Sequence, residues 1–433
     1  MWTLTSSRVL IDPRPRQHPD RRILVPTTPG MAIAALLAGL VLTINSQAQE
    51  WLDQVEDKLS LNSNNGFFRS SLTGLLDAEG YYVDQRPPGL LYGDQSFFNP
   101  RATFFVDATL GNHFYAFVQA RLDRGFDPGE ADFEARLDEY FLRWTPFDDS
   151  RLNLQLGKFA TAVGNWVPRH DSWLNPFITA PLPYENLTIV SDGDIPASPA
   201  AFLARRNLPD MKDSWLPVIW GPSYTTGGAL LGTIGKVDYA LSLKNAAISS
   251  NPYAWDLTKN QWRYLTYSGR LGFRPSPAWN HGVSFSVGPY LDTDVGDQLP
   301  LGKSIADYNQ TTLDYDVSYA WHRWQLWGEV FLNRFEVPNV GNADSIAYYV
   351  QAKYKITPQL YAAAAWNQQI FRTVPDGAGG RQTWDSNMVR VDLALGYRFT
   401  RHLQTKIQYS FGPRDASLQQ GEQLVAAQVT MKF

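Results

Sequence analysis

Charged side chains recur at every second position within runs of residues that are otherwise apolar. In the run 387–400, Arg390, Asp392 and Arg398 fall on one face, while the positions between them are aliphatic or aromatic. A face of alternating acids and bases can attract ions and polar solutes. The two carboxylates of a glycosidase could hide among such pairs, but any wall of balanced charge would look the same. The pattern therefore indicates electrostatic contact with solutes rather than catalysis.

Other kinds of chemistry lack the residues that they require. The 433 residues include no Cys, which excludes disulfides, thiolate metal sites, c-type haem attachment and cysteine nucleophiles. The six His are scattered without the spacing of metal ligands, and the sequence has neither a Gly-Xaa-Ser-Xaa-Gly nucleophile motif nor a phosphate-binding loop. A formal net charge of −4 has the wrong sign for a nucleic-acid-binding protein. We expect no enzymatic activity, metal, cofactor or nucleic-acid partner.

A second group of charged residues lies in the 64 residues from 160 to 223, a connection far too long for an ordinary loop. The segment also carries aromatic residues, including Trp166, Trp173 and Phe202, that could pack inside a barrel. We expect it to fold inward and to narrow a channel, with its charges facing the solute. The alternative is that its aromatic residues only fix it to the wall while its charges are solvated. The candidate constriction residues are Arg169, Asp192, Asp194, Arg205 and Arg206.

The charged faces belong to elements with a period of two residues, which is the signature of β-strands. Many of the runs are ten to fourteen residues long, whereas strands in globular proteins usually contain about five or six. A strand that crosses a membrane needs about 9–11 residues, with lipid on one face and water on the other. Sixteen runs are predicted, at 67–82, 101–110, 113–123, 134–145, 151–159, 224–234, 236–245, 262–273, 282–291, 311–321, 323–333, 345–357, 359–369, 387–400, 402–412 and 421–433.

The connections between these runs alternate in length. Short connections, such as 111–112 and 357–358, are followed by long ones, such as 160–223 and 334–344. Transmembrane barrels have short periplasmic turns and longer extracellular loops, whereas a β-sandwich gives no reason for the alternation. We therefore predict an all-β fold, a transmembrane antiparallel β-barrel of sixteen strands with a long loop that folds inward after strand 5.

The beginning of the chain has the pattern of a secretory signal. Residues 1–48 contain several Arg, then an uncharged run, then small residues at the positions that signal peptidase recognises. We predict a signal peptide at 1–48, with Met1 or Met31 as the true start, and a barrel at 66–433. Between them, residues 49–65 could form a short periplasmic helix or an irregular leader to the first strand.

The chain ends in an alternating strand. Val429 and Met431 precede the terminal Phe433 at two-residue intervals. This arrangement resembles the closing strand of outer-membrane barrels, whose last aromatic residue is recognised by the barrel-assembly machinery. We expect that machinery to bind Phe433, and we expect outer-membrane lipid and lipopolysaccharide to surround the barrel.

The predicted number of strands has a functional implication. Sixteen to eighteen strands leave a water-filled channel, whereas side chains fill a barrel of eight strands. Acids and bases are nearly balanced on the predicted inner wall, which favours a general pore over a strong anion filter. We predict a porin for passive diffusion of small hydrophilic solutes or ions; the alternative is a sheath that encloses a partner, such as a multihaem cytochrome in an electron conduit. The candidate wall residues are Arg101, Arg121, Glu139, Arg143, Arg270, Asp314, Asp316, Lys353, Arg390 and Arg398.

The segment Leu137–Gly164 resembles the phosphate-selective porin (O and P type) family. In that family an acidic residue, a Tyr and an Arg on one strand are followed by a turn and by a strand that ends in Gly, Lys or Gln, and Phe. The matching residues are Glu139, Tyr140, Arg143, Leu156, Gly157, Lys158 and Phe159. The resemblance implies a sixteen-stranded homotrimer in the bacterial outer membrane. Phosphate-selective members use a one-sided ladder of Arg with a Lys cluster, which this balanced wall does not show, so the resemblance does not imply the solute.

Overall fold

The computed structural model describes residues 51–55, 58–84, 96–124, 133–208, 211, 214–256, 262–413 and 421–433. The signal peptide predicted for 1–48 lies outside these residues. Among the residues described, no helix combines the length and the apolar character that a membrane crossing requires.

Nearly all of the regular structure is β-strand. The strands are β1 (Ser60–Asn62), β2 (Phe68–Val83), β3 (Ser96–Leu110), β4 (Phe114–Asp123), β5 (Glu134–Trp144), β6 (Asn153–Phe159), β7 (Thr225–Ile234), β8 (Val237–Lys244), β9 (Thr266–Phe273), β10 (Trp279–Pro289), β11 (Asn309–Trp321), β12 (Trp324–Val337), β13 (Gly341–Lys355), β14 (Leu360–Phe371), β15 (Thr373–Pro375), β16 (Arg381–Thr383), β17 (Met388–Arg398), β18 (Leu403–Pro413) and β19 (Gly421–Lys432). The helical segments are residues 51–55, the helix α1 (Pro199–Ala204) and 3₁₀ helices at Val167–Arg169, Leu182–Tyr184, Arg205–Asn207, Pro252–Trp255, Thr293–Gln298 and Ile305–Asp307.

Sixteen of these strands, β2–β14 and β17–β19, form one closed antiparallel barrel. Each strand pairs with the next along the chain, and β19 pairs with β2 from Leu424 opposite Val83 to Lys432 opposite Leu75. The predicted fold class is confirmed, and each of the sixteen predicted runs overlaps one barrel strand. Outside the barrel wall, β1 adds to the start of β2, while β15 and β16 form a separate hairpin in the loop before β17.

The two faces of each strand meet different surroundings. On β11, Asp314 and Asp316 point into the barrel and are buried, whereas Leu313 and Tyr315 are 50% and 47% exposed on the outside. At the end with the short turns, aromatic rings pair across neighbouring strands, with centroids 4.4 Å apart for Trp279 and Tyr319. An apolar outer band bordered by aromatic residues is what a lipid bilayer requires.

One predicted long loop is a tight turn. The connection expected at 334–344 is reduced to residues 338–340, because β12 continues to Val337 and β13 begins at Gly341. Arg334 and Asp344 face each other on the outside of these strands, with Nε and Oδ1 2.6 Å apart. At this end of the barrel the inward side chains are apolar and the outward pair is charged, which reverses the order of the faces expected for a strand. The prediction of a long loop at 334–344 was therefore wrong.

The hydrophobic core lies inside the barrel rather than between layers. The described residues between β6 and β7, which are 160–208, 211 and 214–224, enter the barrel and are named the inner loop. Its buried Leu187, Phe202 and Trp215 belong to one cluster with Phe335 of β12 and Phe371 of β14. Because sixteen strands enclose more space than their own side chains fill, the inner loop supplies much of the core.

Candidate functional site: a bore beside the inner loop

A buried carboxylate on β12 fixes the beginning of the inner loop to the wall. Glu329 accepts hydrogen bonds from the backbone N–H of Trp166 at 2.8 Å and from the hydroxyl of Tyr184 at 2.6 Å. It also accepts one from the backbone N–H of Asn165. Since an unpaired buried carboxylate is costly, this set of donors ties two turns of the loop to one strand residue.

Two buried cations, on β17 and β18, hold the next part of the inner loop. Arg390 on β17 pairs with Glu185 of the loop and with Asp392 beside it, the second at 3.0 Å. Burial raises the pKa of Glu185, and the neighbouring Arg390 opposes that rise. Lys406 on β18 donates hydrogen bonds of 2.8, 3.0 and 3.1 Å to the carbonyl oxygens of Ser172, Asn175 and Phe177.

These anchors leave an open space on the other side of the barrel. A cavity of about 700 Å³ lies between the inner loop and strands β2–β6, and we call it the bore. Its strand side carries charged and polar residues, namely Asp77, Glu79, Asn99, Arg101, Gln119, Arg121, Asp123, Arg136, Glu139, Arg143 and Gln155. Its loop side is formed by residues 160–161, 166–168, 170–172, 175, 177–180, 184–185 and 220–222. The bore is therefore displaced toward one wall.

Arg101 on β3 presents a guanidinium to the bore in front of two acids. Its Nη2 lies 3.1 Å from Asp77 and 2.5 Å from Glu79, both on β2. The Arg101 side chain is 21% exposed, whereas that of Asp77 is 1% exposed. A solute in the bore therefore meets the cation of this group, although the local charge is balanced by the acids behind it.

The same order of burial holds on β4 and β5. Arg136 pairs with Asp123 at 3.0 Å and with Asp138 at 2.8 Å, and Arg121 lies 3.0 Å from Asp138. In each pair the arginine is more exposed than its carboxylate. The wall of the bore is thus a row of arginines whose charge is compensated from behind.

Arg143 completes the row without an acid. Its Nε and Nη2 both donate to the Oε1 of Gln155, at 3.0 and 2.7 Å. Its guanidinium also lies 5.5 Å from the ring centroid of Tyr115 and 5.3 Å from that of Phe141. Among the residues that the structure describes, no carboxylate lies within ion-pair distance of Arg143, so this arginine differs from the others of the row in having no ion-pair partner.

A chain of hydrogen bonds connects the arginine wall with the inner loop. His170 Nδ1 donates to the carbonyl of Val167 at 2.6 Å, so its Nε2 accepts from the hydroxyl of Tyr224 at 2.6 Å. That hydroxyl in turn accepts from Gln119 Nε2 at 3.3 Å. Burial lowers the pKa of His170, and nearby Arg121 lowers it further. The imidazole is therefore held neutral where it borders the bore.

The comparisons with known proteins agree with this geometry. The outer membrane channel DcaP of Acinetobacter baumannii is similar with a TM-score of 0.54 and 10% identity, over 86% of this chain and 99% of that one. OmpT, an outer membrane protein of Vibrio cholerae, gives a TM-score of 0.53 and 9% identity, over 86% and 99%. An anion-selective porin from Comamonas acidovorans gives 0.50 and 9%, over 84% and 100%. The fold is that of the outer-membrane porins. No family model matches the chain, and no curated protein sequence matches it.

Within this porin fold, Arg169 faces away from the bore. Its Nη1 donates to Gln351 at 2.7 Å and its Nη2 to the hydroxyl of Tyr349 at 3.1 Å, both on β13. The guanidinium also stacks over Trp327 at 4.4 Å from the ring centroid. Arg169 was expected at the constriction, but the structure uses it to attach the inner loop to the far wall.

The other four expected constriction residues also lie outside the lining of the bore. Asp192 accepts hydrogen bonds from Asn251 at 2.9 Å and from the hydroxyl of Tyr253 at 3.0 Å. Burial raises its pKa from the ordinary 3.8 to about 6. Arg205 holds the loop to itself through contacts that include Asp194 at 2.8 Å. Arg206 holds the loop to the hairpin β15–β16 through contacts that include the carbonyl of Thr383 at 2.9 Å.

The ten expected wall residues are divided between three regions. The four that line the bore are Arg101, Arg121, Glu139 and Arg143. Four lie behind the inner loop, namely Arg270, Asp314, Asp316 and Arg390. Among them, Arg270 pairs with Asp316 at 2.8 Å and Asp314 is buried. The last two, Lys353 and Arg398, line a second and smaller cavity. The inner loop therefore separates most of the wall charges from the bore.

Sequence reasoning missed Arg136 and Asp138 because β5 contains a β-bulge. The register with β4 shifts between Gln119 and Ala120, which pair with Glu139 and Leu137 respectively and leave Asp138 as the extra residue. The bulge brings Arg136, Asp138 and Glu139 to the same side of the strand. The exposed residues Leu137 and Leu142 are five positions apart, an odd interval that breaks strict alternation and could have revealed the bulge.

Proposed function

We propose that this protein is an outer-membrane porin through which small hydrophilic solutes diffuse passively along the bore. The observation that carries the proposal is the row of arginines, each exposed to a cavity of about 700 Å³ inside a barrel whose outer face is apolar. Ionised side chains on that surface are stable only where water enters. The chemistry of the bore is attraction and screening of charge, and no catalytic reaction is proposed for it.

The barrel belongs in the bacterial outer membrane, with the short turns in the periplasm and the long loops outside. Outer-membrane lipid contacts the apolar band, and lipopolysaccharide contacts the long-loop end. We propose that the barrel-assembly machinery recognises Phe433, at the end of the closing strand. A homotrimer is proposed from the family resemblance, and crosslinking of the detergent-extracted protein tests it.

We propose weak selectivity with a preference for anions. Compensated arginines give a nearly neutral wall, but the cation of each pair is the group exposed to the solute. Arg143 adds a positive charge without a carboxylate partner among the described residues. Anions therefore meet hydrogen-bond donors along the wall, whereas cations meet carboxylates that are screened by arginines.

The alternative of a protein sheath finds no support in this geometry. A folded partner of about 100 residues has a radius of gyration of about 13 Å, which a cavity of about 700 Å³ cannot hold. The inner loop is fixed inside the barrel by Glu329, Arg390 and Lys406. An electron conduit would require that loop to leave the barrel.

Single-channel recording tests the proposal. The mature chain, refolded into a planar bilayer under a KCl gradient, is expected to give stable open steps with a reversal potential on the anion side. Folding is checked in the same preparation by the heat-dependent shift in gel mobility that closed barrels show. A correctly folded barrel that conducts no current would contradict the proposed function, and a reversal potential on the cation side would contradict the proposed selectivity.

A further inference from the structure

A second cavity lies on the other side of the inner loop from the bore. It has a volume of about 280 Å³ and is bounded by β12–β14, β17 and the loop residues Trp173 and Leu174. Residues 357–359, which form the short turn between β13 and β14, are part of its border, so it opens at the short-turn end. Among the described residues, none lines both this cavity and the bore. We call it the rim cavity.

Every ionisable group of the described residues that line the rim cavity, apart from the hydroxyl of Tyr361, is a cation. The four are Arg169 of the inner loop, Lys353 and Lys355 of β13, and Arg398 of β17. Within the described part of the chain, no carboxylate lies within 4 Å of any of them. This differs from the row of arginines, where Arg101, Arg121 and Arg136 each have a buried acid behind them.

Aromatic rings hold three of these cations in place. The guanidinium of Arg169 lies 4.4 Å from the ring of Trp327, the ammonium of Lys353 lies 4.2 Å from Tyr361, and the guanidinium of Arg398 lies 4.7 Å from Trp173. A ring stabilises a cation through its face and accepts no conventional hydrogen bond, so the N–H groups of Lys353 and Arg398 stay available. The Nη atoms of Arg169 donate instead to Gln351 and Tyr349.

The donors of three of the cations have no protein acceptor. In the part of the chain that the structure describes, the side chains of Lys353, Lys355 and Arg398 donate no hydrogen bond to another residue. Four like charges in one small space repel one another, and a bound anion would relieve that repulsion. The space is equivalent to roughly nine water molecules at about 30 Å³ each, so only a compact ion fits.

We propose that the rim cavity binds a compact oxyanion with two or three negative charges, and that Lys353, Lys355 and Arg398 are its ligands. Guanidinium and ammonium donors suit phosphate and carboxylate groups alike, since both present charged oxygen acceptors. The inference goes beyond passive diffusion through the bore. It rests on the proposed function only in placing the short-turn end, and therefore the anion, in the periplasm.

Titration calorimetry on the detergent-solubilised full barrel tests this site without any measurement of current. Inorganic phosphate and citrate are titrated separately, and either is expected to bind with one site per barrel and an affinity that falls as salt rises. Binding of phosphate alone assigns the site to inorganic anions, and binding of citrate alone assigns it to carboxylates. Absence of binding by both anions overturns the proposal.

A pair of double variants locates the binding. Lys353→Gln with Lys355→Gln is expected to weaken binding at least tenfold. The control, Lys236→Gln with Lys303→Gln, removes the same charge at exposed positions outside the rim cavity and is expected to bind as the wild type does. Equal affinity of the two double variants overturns the proposal. If the first double variant does not fold, Lys355→Gln alone, at the exposed end of β13, replaces it.

The outcomes for the two proposals remain separable. A barrel that conducts but binds neither anion overturns the rim site and leaves the proposed diffusion function standing. A barrel that binds an anion but conducts no current overturns the proposed diffusion function and leaves the rim site standing.

Discussion

The hydroxyl of Tyr184 donates a 2.6 Å hydrogen bond to the carboxylate of Glu329, and both side chains are almost completely buried inside the barrel. The same carboxylate accepts from the backbone of Trp166, eighteen residues earlier in the inner loop. One side chain on β12 therefore fixes the loop at two distant points, and the width of the bore depends on it.

Glu329→Gln is expected to loosen the inner loop without opening the barrel. The amide of Gln cannot accept all the hydrogen bonds that the carboxylate accepts, and a buried donor left unpaired costs about 1–3 kcal/mol. We expect more current noise and more brief closures in single-channel records. Glu336→Gln on the same strand is the control, because Glu336 accepts from Asn309 of the neighbouring strand. Equal noise in both variants would show that Glu329 does not fix the loop.

Arg143→Gln is expected to shift the reversal potential toward cations at little cost to folding. Arg143 donates to neutral Gln155, so its loss removes about 1–2 kcal/mol of hydrogen bonding and one positive charge. Arg101→Gln should shift the potential in the same direction but destabilise the barrel more, because Asp77 and Glu79 lose their cation. Reversal potentials and urea unfolding measure the two effects, and similar unfolding of both variants would contradict the assignment of paired and unpaired arginines.

Because Asp192 is buried, we expect the free energy of unfolding to depend on pH. Burial raises its pKa from 3.8 to about 6, so the folded chain binds more protons than the unfolded chain between these values. The contribution of Asp192 to stability is therefore lost as pH rises from about 4 to above 6, a change of about 3 kcal/mol. Asp192→Asn keeps an oxygen that can accept from Asn251 and removes the titration. We expect the variant to gain stability over the wild type at pH 7.5 but not at pH 4 in urea unfolding, and an equal difference at both pH values would rule this out.

Gly74→Val is expected to impair closure of the barrel. A Cβ at Gly74 would lie 2.4 Å from the ring of Phe433, which covers that glycine. The two residues also exchange backbone hydrogen bonds of 2.9 and 3.1 Å, next to the pairing of β19 with β2. The fraction of heat-modifiable protein should fall. Adding Phe433→Leu to Gly74→Val should restore part of it, and no recovery would mean that the ring is not the obstacle.

Most of the barrel could be predicted from the sequence because lipid and water impose a strict alternation on each strand. The prediction failed where a local feature changed that alternation. The bulge at Asp138 turned Arg136 toward the bore, and apolar side chains such as Phe335 point inward near the long loops because the inner loop covers them. Both features depend on neighbours that are distant in the sequence.

The site itself was less predictable than the wall. The sequence indicated an inward-folding loop after strand 5, but its length and composition do not determine which side of the barrel it occupies. That choice depends on partners such as Gln351 for Arg169 and the loop carbonyls for Lys406, which lie more than 180 residues apart from the groups they bind. Charged residues that looked suited to contact solutes are used instead to fix the loop.

The displaced bore has a consequence for how this protein can diversify. Apart from residues 220–222, Trp255 and Gln428, every described residue that lines the bore falls between Leu75 and Glu185. The surface that solutes would meet under the proposed function is therefore encoded by one continuous stretch of the gene, while the later strands mainly support it. Recombination within that stretch could exchange the lining of the bore and leave the later strands of the barrel unaltered.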